Sequence, residues 1–176
     1  MRSSLIFFAS LNDEDIAWIC QASRKLAIAS AQVVMASGKT NQTIYILLEG
    51  KCRVETAEGR RLDMLSSGDI IGEVSFVDRR KTTAQVTADT PVVLAQLDEE
   101  VLGIKLAGDP QFAARFYRGV ASVLAFRLRR NLQTAISKDS DVLSSAYEFV
   151  GEIDAVDLDA TAKAGARLSY LLSRLL

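Results

Sequence analysis

Between Gln32 and Leu97 the chain is a succession of short β-rich runs cut off by glycines and turn residues, and this rhythm limits the fold more than any other feature. The runs are VVMA (33–36), IYILLEG (44–50), KCRVET (51–56), RLDML (61–65), a short stretch at 69–71, AQVTA (84–88) and VVLAQL (92–97). Between them stand SGKTNQ (37–42), AEG (57–59), SSGD (66–69) and the turn from Asp89 to Pro91. Short strands recurring every ~8–12 residues predict a small antiparallel barrel or sandwich. One piece breaks the rhythm. GEVSFVD (72–78) alternates too little for a strand, and its Gly-Glu start suits the first turn of a very short helix.

Helical patterns flank the β region. Residues 11–29 predict a helix, with Asn12 or Asp13 as cap, Glu14 and Asp15 complementing the dipole, and Ile16, Ile19 and Cys20 as its apolar stripe. DEEVLGIKLAG (98–108) predicts a short capped helix, and Asp109-Pro110 opens a longer one running to about Thr134. That helix carries two stripes: Phe112, Phe116, Gly119, Val123 and Phe126 on one face, and Tyr117, Val120, Leu124 and Leu128 on the next. Two stripes call for two partners. One is the β domain; the other is either a second copy of the helix, giving a homodimer through residues 110–134, or the chain's own C-terminal tail. Residues 1–134 are therefore expected to form one domain and 135–176 a helical extension. From Asp139 onward the extension holds seven acids and three bases, with Leu158, Ala162, Gly165, Leu168, Leu172 and Leu175 at helical spacing.

Composition narrows the chemistry. The chain has no histidine, which removes the commonest general base and transition-metal ligand, and no nucleophile-elbow pattern or metal-ligand spacing is present. No enzyme, cofactor or metal is expected. Cys20 and Cys52 read as reduced, buried small hydrophobes of a cytoplasmic protein. The run LIFFA near the N-terminus is too short for a secretory core, and no window is apolar enough to span a membrane. A net charge of −1 gives no general attraction to nucleic acid, and the acidic tail opposes phosphate contacts, so DNA is not an expected partner. Arg115, Arg118, Arg127, Arg129 and Arg130 on the long helix read as a solvated or interfacial face.

The order of helix, eight-strand-like β region with one internal short helix, then long helix resembles the cyclic-nucleotide-binding domain family over about residues 8–132. IYILLEGKCRV (44–54) matches the family's strand-turn-strand pattern, and SGDIIGEVSF (67–76) matches the approach to its phosphate-binding cassette. Ala84 and Val86 fit the alternation that closes the cassette, and DPQFAARFYRGVASVLAFRLR (109–129) looks like the helix that follows in one bacterial branch. The resemblance implies an α+β fold: a jelly-roll-like antiparallel β-roll of about eight strands, with an N-terminal helix, an internal phosphate-cassette helix and a long C-terminal helix.

It also implies a ligand site at Gly72, Glu73, Val74, Ser75, Arg80, Thr82 and Thr83, for cAMP or another cyclic nucleotide. A short helix starting at Gly72 leaves its first N–H groups without intrahelical partners, where they suit a phosphate. Glu73 matches the family glutamate that accepts a ribose hydroxyl; its plainer reading is a dipole partner. Thr82 stands where the family usually has the arginine that pairs with the phosphate. Losing a charged hydrogen bond costs about 1.5–3 kcal/mol unless another group replaces it. Thr83 offers a hydroxyl but no charge. Arg80 is the expected replacement cation, because similar bacterial domains often place an arginine there; the other reading is a solvated basic loop with Asp78 as local partner. Two functions follow: a non-enzymatic sensor relaying a cyclic nucleotide through its C-terminal helices, or a relative that binds none and serves as an interaction or assembly module.

Overall fold

The computed structural model describes residues 2–139 and 155–176. Two helices come first, α1 (Arg2–Ser10) and α2 (Asp13–Ala22), followed by strands β1 (Arg24–Ile28), β2 (Val33–Met35), β3 (Thr43–Glu49), β4 (Cys52–Glu55), β5 (Arg61–Leu65) and β6 (Ile70–Ile71). The short helix α3 (Glu73–Asp78) precedes β7 (Gln85–Ala88) and β8 (Val92–Asp98). Then come α4 (Glu99–Gly108), the long α5 (Pro110–Asp139) and α6 (Ala155–Leu175). The eight strands form two antiparallel four-stranded sheets, ordered β1-β8-β3-β6 and β2-β7-β4-β5. This is the antiparallel β-roll expected from the sequence.

The first helix needs correction. The pattern over 11–29 predicts one helix, but α2 ends at Ala22, Ser23 turns extended, and Arg24–Ile28 pairs with β8 in the register Leu26↔Leu94 and Ile28↔Val92. Lys25 and Ala27 favour helix weakly. Pairing with β8 and packing of Leu26 and Ile28 against the apolar interior outweigh that preference. Upstream, LIFFA is not an idle tail: it lies in α1 and buries Phe7 and Phe8 completely.

Two apolar clusters hold the molecule together. Between the sheets lie Leu47, Cys52, Leu65, Ile71, Val86, Ala88, Val92 and Leu94. The second cluster joins the outer face of the β3 sheet to the helices. Ile44, Ile46 and Leu48 point into it from alternate positions of β3, while Phe112, Phe116, Val120 and Val123 enter from α5. Phe116 sits at its hub, with ring centroids 5.6 Å from Phe7, 5.7 Å from Phe112 and 5.9 Å from Phe76. Gly119 lets α1 approach, since a Cβ there would lie 2.8 Å from the Phe7 ring. The tail helix joins the same cluster through Ala164 and Leu171, while Arg167 pairs with Asp13 and donates to the Phe8 carbonyl. Its buried face is rotated from the expected stripe, because Ala162 is exposed. Residues 140–154 of the acidic extension lie outside the described residues.

Long-helix arginines also depart from the solvated reading. Arg115 forms a two-pronged ion pair with Asp15, at 2.6 and 2.8 Å, and Asp15 is only 3% exposed. Asp15 also completes a capping box, exchanging 2.8 Å bonds with Asn12. A buried carboxylate needs a cation, and α5 supplies it. Arg118 and Arg129 are exposed as expected.

Both cysteines are free, Cys52 buried and Cys20 half-buried. Burial, reinforced by the charge of Asp89, pushes the Cys52 thiol up to about 11. The folded state thus holds this proton above the ordinary thiol value. Stability from this source is complete below about pH 9 and falls as pH rises through 11, at up to about 1.4 kcal/mol per pH unit. Urea unfolding between pH 8 and 11 checks this; Cys52→Ala should make the slope shallower, leaving the smaller share of Cys20, whose thiol burial also pushes up, and an identical slope in that variant contradicts it. For the helical layer, Asp15→Ala is expected to cost about 2–4 kcal/mol in the same measurement, and Arg115→Met at least as much, since it strands the more buried charge. Losses under about 0.5 kcal/mol for both would contradict the pairing's role.

Candidate ligand-binding site

The site begins where β6 runs into α3. Gly72 adopts a left-handed conformation with φ of 95°. A Cβ there would come within 2.6 Å of both the Asn41 side-chain amide nitrogen and the Thr43 carbonyl, so the glycine is required by the approach of β3 as well as by its dihedral. α3 then closes quickly: the Phe76 N–H donates to the Gly72 carbonyl at 3.1 Å, the buried Ser75 hydroxyl donates to the same oxygen at 3.2 Å, and Arg79 caps the end in a left-handed conformation. Phe76 anchors this turn in the helical core, against Phe116 and Tyr117. The N–H groups of Glu73, Val74 and Ser75 precede the first intrahelical bond.

A cavity of about 330 Å³ opens beside this turn. Met35, Val54, Leu65, Ile71 and Val86 make an apolar floor from the inside of the roll. Gly72, Glu73, Val74 and Ser75 line one side, and Lys81, Thr82, Thr83 and Ala84 another. Leu124, Arg127, Leu128 and Asn131 of α5 lie across it. The size falls at the lower end of the ~300–1,000 Å³ usual for small-molecule sites. A wider groove of about 740 Å³, lined by Trp18, Ile104, Lys105 and Pro110, is shallow and open.

Glu73 is 3% exposed, and its carboxylate is held by the Arg127 guanidinium, which also donates to the Ile70 carbonyl at 2.9 Å. A second pair, Arg130 with Asp63 of β5, ties the next turn of α5 to the other sheet. The arginine on α5, read from the sequence as part of a solvated or interfacial face, is therefore the partner of the cassette glutamate. Its signature was available: Leu124, Arg127, Leu128 and Asn131 share one helical face, with polar groups set among apolar ones.

The remaining expected residues divide. Thr82 is buried and its hydroxyl is already engaged, donating at 2.6 Å to the Ala36 carbonyl and accepting at 3.2 Å from the Lys39 N–H. Its backbone pairs with the same loop, through Gly38 and Lys39. The position of the family arginine thus serves here to pin the segment between β2 and β3. Thr83 is exposed at the rim, where its carbonyl accepts from Ser37 at 3.3 Å. Arg80 is exposed and does not line the cavity; its backbone N–H donates to Asp78 at 3.0 Å. Arg79 is drawn away to Glu99 and lies 5.2 Å over the Phe76 ring. Of the basic loop, Lys81 lines the cavity. Apolar floor, buried acceptor and two cations form a recognition surface for a polar, anionic small molecule with one flat or apolar part.

Comparison with known proteins agrees with the fold. A model of the cyclic nucleotide-binding domain matches residues 25–107. "Glutaminase 2" of Bradyrhizobium diazoefficiens is 31% identical over 120 residues, covering 68% of this chain and 19% of that protein. The "CRP-like cAMP-activated global transcriptional regulator" of Mycobacterium tuberculosis is 27% identical over 127 residues, covering 70% of this chain and 55% of that protein. The chain thus spans about half or less of these curated relatives. Among solved structures, a cyclic nucleotide-binding domain from Methylobacillus flagellatus superposes with a TM-score of 0.70 at 18% identity, covering 80% of this chain and 85% of that one. Apart from Arg24, the roll and its short internal helix fall within residues 25–107, the long helix follows directly after them, and over residues 25–107 the chain belongs to the cyclic nucleotide-binding domain family.

Proposed function

We propose that this chain is a regulatory, non-catalytic cyclic-nucleotide sensor that relays occupancy of its cavity through α5. The observation that carries this reading is the Glu73–Arg127 pair, which joins the cassette glutamate to the long helix at the cavity itself. A ligand whose ribose hydroxyl binds Glu73 meets the carboxylate that also holds α5, so binding and helix placement share one contact. The name of the mycobacterial relative, a cAMP-activated regulator, supports a cyclic nucleotide as the ligand. Gly72, Glu73, Val74 and Ser75 would receive the ribose and phosphate, and the apolar floor the purine.

The relay has an outward face. Tyr117 and Leu132 of α5 are exposed, which supports a homodimer formed through this helix. Among the described residues no helix is long and apolar enough to cross a membrane, in keeping with a cytoplasmic setting. DNA contact is not part of the proposal.

A specific observation favours a second reading. Thr82 replaces the phosphate-binding arginine and spends its hydroxyl on the Ala36 carbonyl, as expected of a relative that no longer binds nucleotide and acts as an interaction or assembly module. Calorimetry of the chain with cAMP, cGMP and cyclic dinucleotides separates the two. The sensor reading expects micromolar or tighter binding of at least one of them, on the order of −8 kcal/mol, weakened roughly tenfold or more by Glu73→Gln. Absence of both heat and thermal shift with all of them would leave the assembly module as the function.

A further inference from the structure

We infer that Lys81 and Arg127 are the cations that hold the anionic group of the cavity's ligand, standing in for the charge absent at Thr82. This deepens the sensor reading and rests on it. The two are the positively charged residues of the lining. Lys81 is exposed at the rim, and its ammonium has no hydrogen-bond or ion-pair partner among the described residues. Arg127 is different. Its side chain is only 18% exposed, and its two recorded bonds, to Glu73 and to the Ile70 carbonyl, engage fewer than the five N–H donors of a guanidinium. A largely desolvated guanidinium with donors to spare binds an anion strongly, and its planar fork can bridge a carboxylate and a phosphate at once.

Charge accounting gives the ligand class. Among the lining residues Glu73 is matched by Arg127, and Asp63 by Arg130 just behind it. Lys81 remains as one unmatched positive charge. A cyclic phosphodiester carries one negative charge and balances it; a phosphomonoester carries nearly two near neutral pH and would leave an excess. Of the other nearby cations, Arg79 pairs with Glu99, and Arg80 does not line the cavity. Because Arg127 stands on α5, ligand charge acts directly on the helix that covers the cavity.

The experiment is calorimetry on the full chain and on Lys81→Gln, Arg127→Met and Arg80→Gln, using cAMP, cGMP, 5′-AMP and adenosine, with a thermal-shift series in inorganic phosphate. Lys81→Gln and Arg127→Met should each weaken cyclic-nucleotide binding roughly tenfold or more, with Arg80→Gln unchanged. Adenosine, lacking the anion, should bind the parent chain, Lys81→Gln and Arg80→Gln alike, and 5′-AMP should bind the parent chain more weakly than cAMP. Lys81 is exposed, so its variant tests the inference even should Arg127→Met fold poorly. Parent-like cyclic-nucleotide binding by Lys81→Gln overturns the inference while leaving the sensor reading intact. If no cyclic nucleotide binds the parent chain, the sensor reading fails. The phosphate series then decides: a rise in melting temperature that both variants lose supports the cation pair, and no such rise overturns it.

Discussion

A buried carboxylate on the first residue of a six-residue helix is the constraint around which the ligand-side half of this molecule is arranged. Glu73 is nearly inaccessible to water, and leaving it unpaired there would cost several kcal/mol. Arg127 meets the need from α5, and its second bond, to the Ile70 carbonyl, fixes the guanidinium against the end of β6. α5 is thereby held across the mouth of the roll, and Arg130 with Asp63 repeats the tie one turn later.

The opposite end of α5 is held by the same physics. Asp15, buried in the turn that caps α2, draws Arg115 into a two-pronged pair, and Phe116 next to it joins α1, α3 and α5 through ring contacts. One helix is therefore anchored at two points along its length, Arg115 to a carboxylate of the N-terminal helices and Arg127 to that of the cassette. Between them Gly119 admits Phe7 and sets how closely α1 can approach. α1 packs on α5, and α6 packs in turn on α1 and α2.

Much of the fold was legible in the sequence because its signals are local. Glycine-bounded runs with period-two alternation marked seven of the eight strands, and the Gly-Glu start marked α3. β1 was hidden: Lys25 and Ala27 carry no strand preference, and the pairing that makes Arg24–Ile28 a strand comes from Val92–Gln96, about seventy residues away. The site was legible on the cassette side and opaque on the helix side. Gly72, Glu73 and Ser75 follow one another in the chain, whereas Arg127 lies 54 residues beyond Glu73 and looks like any surface arginine until the acid it neutralises is known to be buried. Thr82 shows the same limit from the other direction. Its sequence position says that a charge is missing, but only the loop at Ala36–Lys39 says what the hydroxyl does instead.

The relay proposed above requires Glu73 and Arg127 to be energetically coupled. A double-mutant cycle on unfolding free energy in urea, with Glu73→Gln, Arg127→Met and the pair together, tests it most directly. The expected coupling is about 1.5–3 kcal/mol, with the double variant less destabilised than the sum of the single ones. Single-variant effects that add to within about 0.5 kcal/mol would contradict it.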